Sequence, residues 1–109
     1  MSLTQISREQ WKDVFDHASK SLSEQPTTVE VTGLGLGDRI AADHAPLHGI
    51  SYEPRDDTLT LFLQGLEHRI RHPKTIHADR IAGDLVSFEV VDAEGTHHIV
   101  QLSQPVHLD

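Results

Sequence analysis

Apolar residues at Trp11, Val14, Phe15, Ala18 and Leu22 recur at the spacing of one helical face, while Lys12, Asp13, Asp16 and Lys20 fall opposite. Ser7 and Gln10 stand in the S-x-x-Q spacing of a capping box, where each side chain satisfies an orphan backbone donor at a helix start. Ile6 and Trp11 flank that box as a hydrophobic staple would. Ser23-Glu24-Gln25-Pro26 then stops the pattern. The sequence therefore predicts an amphipathic helix over residues 7–23. Its Trp-Phe face must be buried, and the rest of the chain offers only strands to cover it.

From Thr27 onward the period changes to two. Val29 and Val31 alternate with Thr28, Glu30 and Thr32, and the cluster from Gly33 to Asp38 reads as a turn before a short strand at 39–42. Pro54-Arg55-Asp56-Asp57 joins 49–53 to 58–65 as a hairpin, with Leu59, Leu61 and Leu63 on one face. Asp92-Ala93-Glu94-Gly95 joins 85–91 to 96–102 as a second. In it Val86, Phe88 and Val90 share one face, and His98, Val100 and Leu102 another. Between the hairpins, 67–71 and 75–78 read as strands meeting at His72-Pro73. No second helix is available for a βαβ crossover, which excludes a doubly wound fold. The expected class is α+β: an N-terminal amphipathic helix packed on a small antiparallel β-meander or partly closed barrel of seven to eight short strands. One domain is expected over 1–109, with the sheet over about 27–104.

Composition narrows the classes. A chain of 109 residues is long enough to bury a core without staples, and with no cysteine it has no disulfide, thiolate metal site or thiol nucleophile. That suits a reducing compartment. No apolar run approaches the roughly 18 residues of a membrane span, and the opening Met1-Ser2-Leu3-Thr4-Gln5 lacks the basic and apolar regions of a signal peptide. The expectation is a cytoplasmic protein with no membrane partner. A formal charge of −8 argues against nucleic acid, since Arg69, Arg71 and Lys74 are the densest fixed positive charges. Nine histidines carry that charge from −8 to +1 when all are protonated, so a solubility minimum is expected near pH 5–6.

Those histidines are the first place to look for chemistry. On a strand, His68 and His72 stand about 13 Å apart at roughly 3.3 Å per residue, too far to share an ion without ligands from elsewhere. Adjacent His97 and His98 point to opposite faces. No H-E-x-x-H or H-x-H spacing is present. His68, His72 and His98 fall on faces shared with core residues and are the candidate ligand-binding or metal residues. The glycines at 33, 35 and 37 lack the helix and spacing of a dinucleotide loop and read as a turn or bulge. Ser51 lacks the second glycine of a nucleophile elbow, and Asp56-Asp57 sits where a turn wants aspartate. Arg69 and Arg71 share an outward face where Glu30, Glu53 or Glu89 could answer them. No catalytic residue is assigned.

The series Thr28-Val29-Glu30-Val31 before a glycine turn, Pro46-Leu47-x-Gly49-Ile50, His68-x-Ile70-x-x-Pro73-x-x-Ile76 and a strand-acid-Gly95-strand hairpin resembles a family of small uncharacterised bacterial proteins, domain-of-unknown-function family 5335. The helix start Ile6-Ser7-Arg8-Glu9-Gln10-Trp11 is similar too, with Glu94-Gly95 in place of the expected Asp-Gly. The resemblance implies a free-standing α+β domain of this size, marks His68 as a histidine with a fixed role, and implies no activity. Ser7, Gln10, Trp11, Pro46, Gly49, Pro73 and Gly95 are its structural positions. The expected function is a non-enzymatic binding or self-association module, a homodimer or partner-binding protein without cofactor. The alternatives are a histidine-dependent metal or small-ligand protein, and a small enzyme with a His-based acid/base site.

Overall fold

A computed structural model describes residues 2–33, 35 and 37–108. In chain order its elements are β1 (Ser2–Ile6), a 3-10 turn (Arg8–Gln10), α1 (Trp11–Ser19), β2 (Pro26–Gly33), β3 (Gly37–Glu53), β4 (Thr58–Leu63), β5 (Leu66–Arg71), β6 (Pro73–Ile81), β7 (Asp84–Asp92) and β8 (His97–Val106). The strands form one sheet in the order β1-β6-β7-β8-β2-β3-β4-β5, with every neighbouring pair antiparallel. Two meanders, β6-β7-β8 and β2-β3-β4-β5, are thus sewn together by β2 and β8. The barrel closure that the strand count allowed is not made. Among the described residues no pairing joins β1 to β5.

β3 holds the second meander in one piece. Its first part pairs with β2 as far as Pro46, opposite Pro26, and from Leu47 onward it pairs with β4. Pro26 and Pro46 face each other where neither N–H is needed by the ladder, whose last bond runs from the Leu47 N–H to the Gln25 carbonyl at 3.0 Å; beyond it the strands part. The expected short strands at 39–42 and 49–53 are therefore one strand of 17 residues. Pro46 and Gly49 read as breaks, but they mark a change of partner and a register shift between Leu47 and Gly49. At Gly49 a Cβ would meet only ordinary contacts, 3.8 Å from Phe62 Cδ2 and 3.9 Å from Ser19 Oγ, so space does not demand glycine.

The helix covers the core with the residues its pattern assigned. Trp11, Phe15 and Ala18 are buried, and Leu22 is buried just beyond the helix end. Phe15 meets Phe88 of β7, and Trp11 stands edge-on to Tyr52 of β3, both at 5.1 Å between ring centres. Each such apolar burial contributes about 1.5–3 kcal/mol. The helix is shorter than 7–23: Arg8–Gln10 wind as a 3-10 turn, and at the other end the Lys20 and Ser21 N–H groups bond three residues back, to His17 and Ala18, before Ser23 and Glu24 turn to positive φ. Nor is the capping box made. The Ser7 hydroxyl donates to Gln10 Oε1 at 3.1 Å and leaves the backbone alone, while the Gln10 N–H bonds the Ser7 carbonyl at 2.9 Å. Ile6 and Trp11 are both buried, and the indole N–H donates to the Ile6 carbonyl at 2.9 Å.

Where β2 has left, the helix end takes its place beside β3. The Ser19 hydroxyl donates to the Ile50 carbonyl at 2.8 Å and accepts from the Ile50 N–H at 2.9 Å. In β7 a register shift between Leu85 and Ser87 puts Leu85 in the core and leaves Val86 half-buried, so the expected Val86-Phe88-Val90 face is offset at its first member. Gly95, at φ +83°, makes the β7–β8 turn.

Candidate functional site

The β7–β8 hairpin positions a buried histidine against an aspartate. Asp92 ends β7, and its Oδ1 accepts the Glu94 and Thr96 amides at 3.0 Å each, the aspartate's usual service to a turn. Its Oδ2 meets His98 Nε2 at 3.0 Å. Val90 pairs with His98, so the two-residue period sets Asp92 on the same face as His98, one step along. His98 Nδ1 in turn meets His68 Nε2 of β5 at 3.0 Å. The side chains of His98 and Asp92 are 9% and 13% exposed, and His68 is half-buried.

The proton positions follow from the acceptors. A carboxylate only accepts, so His98 carries its hydrogen on Nε2; neutral His98 then accepts at Nδ1 from His68 Nε2–H. Burial alone would push the Asp92 carboxyl up. The bonds from His98, Thr96 and Glu94 outweigh it and hold the group below the usual carboxylate range. His68 moves the other way for a base. Burial first, and the charge of His98 second, push it from 6.5 down to about 4.

His72 is not part of this chain. The alternation expected to set it on the core face fails, because His72 takes φ +54° at the β5–β6 corner and its side chain is 68% exposed. Its Nδ1 lies 3.3 Å from Asp57 Oδ2 in the β3–β4 turn, and its N–H donates to the Asp57 carbonyl at 2.8 Å. Asp57 Oδ1 accepts from the Tyr52 hydroxyl at 2.7 Å and from Arg8 at 3.0 Å. Arg8 also donates to the Pro73 carbonyl at 2.9 Å and lies 4.4 Å above the Trp11 ring. Tyr52, then His72 and Arg8, hold the Asp57 carboxyl low, while burial and then Asp57 push the Tyr52 phenol up. A groove of about 690 Å³ opens beside it, its charged lining mixed: Glu53, Asp56 and Glu67 with Arg69, Arg71 and His72.

The three candidate histidines are thus two that touch and one engaged elsewhere. Among the described residues no three His, Asp or Glu side chains are placed to hold a metal ion. Arg69 is answered by Glu67 of its own strand at 3.0 Å and not by the glutamates expected from other strands. Sequence reasoning missed that the histidines come with acids: His44, His48, His97 and His107 each pair with a carboxylate, as His72 and His98 do. Hairpin arithmetic could have found Asp92–His98. Nothing local signals His68–His98, which crosses the interior.

The chain matches the Family of unknown function (DUF5335) over residues 2–109. It belongs to that family. The DUF5335 chain is also 36% identical to an uncharacterised protein of Aquifex aeolicus (strain VF5) over 109 residues, covering 99% of this chain and 98% of that protein. No solved structure matches it. Among the described residues, no helix of this DUF5335 chain is long and apolar enough to cross a membrane.

Proposed function

We propose that the protein is a non-enzymatic module that self-associates through the free edge of β1. The observation that carries this reading is the contrast between the two sheet ends. β5, the other edge, presents Glu67, Arg69 and Arg71, and charge on an edge strand opposes further pairing. β1 carries no charged residue, and its Leu3 is 70% exposed. Leu3 pairs with Asp79, which puts it on one face with Ile81, itself 48% exposed. An uncharged edge with an apolar pair beside it favours a twofold, edge-to-edge dimer. Light scattering after size exclusion tests it: a dimer at high micromolar concentration, reduced to monomer by Leu3→Lys and untouched by Leu66→Lys at the opposite edge. A strict monomer, or a dimer indifferent to Leu3→Lys, refutes it.

A further inference from the structure

We infer that the Asp92–His98–His68 chain is a latch that holds β5 against β8 and that acid releases. The inference does not rest on self-association, because β5 lies at the sheet end away from β1. In the sheet order β2, β3 and β4 separate β5 from β8, so the histidine contact is made across the interior and not along a ladder. Apolar groups surround it: Leu61 of β4 pairs with His68, and Val31 of β2 and Val90 of β7 pair with His98.

The count of protons shows why such a link releases in acid. At neutral pH one hydrogen lies between Asp92 and His98 and one between His98 and His68. A first added proton is shared by the two rings beside the Asp92 carboxylate, and the His98–His68 bond survives with its direction reversed. A second proton has no place, since both facing nitrogens then carry hydrogens and two positive rings meet at the former 3.0 Å. The one carboxylate in the chain lies on the far side of His98. Glu67 and Arg69 flank His68 on β5 but face the other way and pair with each other. His97 flanks His98 on β8, also faces away, and is held by Glu89 of β7. Among the described residues no other charged side chain is bonded to either ring, so the repulsion is relieved by β5 lifting from β8.

Hydrogen exchange and ring titration by NMR on the full chain, from neutral pH to pH 4, test this. Protection of the β5 amides should fall by up to about tenfold per pH unit below the ordinary histidine value, in step with the His68 ring, while β6 and β7 amides keep theirs. His68→Gln still offers His98 a donor but cannot titrate, and in it the β5 dependence should vanish. Equal pH dependence in His68→Gln, or β6 and β7 opening in step with β5, overturns the latch. Should that variant not fold, the wild-type ring decides alone, because titration at the value of a free histidine overturns it equally.

Discussion

Two of the aspartate–histidine pairs in this protein, Asp92–His98 and Asp57–His72, differ more in their surroundings than in their geometry. Asp92–His98 is closed inside the sheet with His68 behind it, whereas Asp57–His72 lies open on the surface with Tyr52 and Arg8 as further partners. In the interior the neutral chain has one admissible set of protons, and a lost partner leaves a group that water reaches only in part. On the surface, water replaces whatever is lost. The same residue pair is thus a constraint on the core in one place and an adjustable clasp in the other.

The sharpest way to break that comparison is to remove the histidine from each pair. His98→Ala leaves the Asp92 carboxylate without its ring partner and opens a cavity, so unfolding in denaturant should show a loss on the order of 3 kcal/mol. A loss below about 1 kcal/mol would mean that the interior rearranges freely around the gap. Next comes Arg8→Ala, which removes bonds to Tyr52, Asp57 and Pro73 and the contact over Trp11. At a half-exposed arginine, about 1 kcal/mol is expected, with a change in Trp11 fluorescence.

Acid should separate the two regions by window. His68 binds its proton less readily folded, at about 4, than unfolded, at 6.5, so its contribution is intact above pH 6.5 and is lost as pH falls toward 4. Solvent reaches part of the ring, and screening brings the expected loss to roughly 1 kcal/mol, read as the difference between wild type and His68→Gln. Asp57 has a lowered folded value, so its contribution persists above the ordinary carboxylate value of 3.8 and disappears only below it. The smallest effect belongs to His72→Ala. Its exposed, long contact should cost less than about 0.5 kcal/mol in the same denaturant measurement.

Much of the fold was legible because burial imposes a period. Trp11, Phe15 and Ala18, the run Leu59-Leu61-Leu63, and Val100 after His98 all sit where helix and strand spacing put them. β1 was not legible, since among the described side chains of this edge strand only Ile6 is buried and one residue makes no period. The length of β3 was hidden because it changes partner after Pro46, and a change of partner leaves no mark in one strand's alternation. At the candidate sites, spacing identified His68 and His98 as inward-facing. It misplaced His72, whose positive φ at the corner resets the alternation. The partners Asp57, Tyr52 and Arg8 come from three separate segments, and no local pattern joins them.

Ser19 does for β3 what a neighbouring strand would have done, giving one acceptor and one donor to Ile50 at the place where β2 departs. An alanine there would expose a pairing-competent rung in the middle of the fold, far more available to a stray segment than a backbone already engaged. The protein's resistance to misassembly at that spot thus depends on a single hydroxyl at the end of its helix.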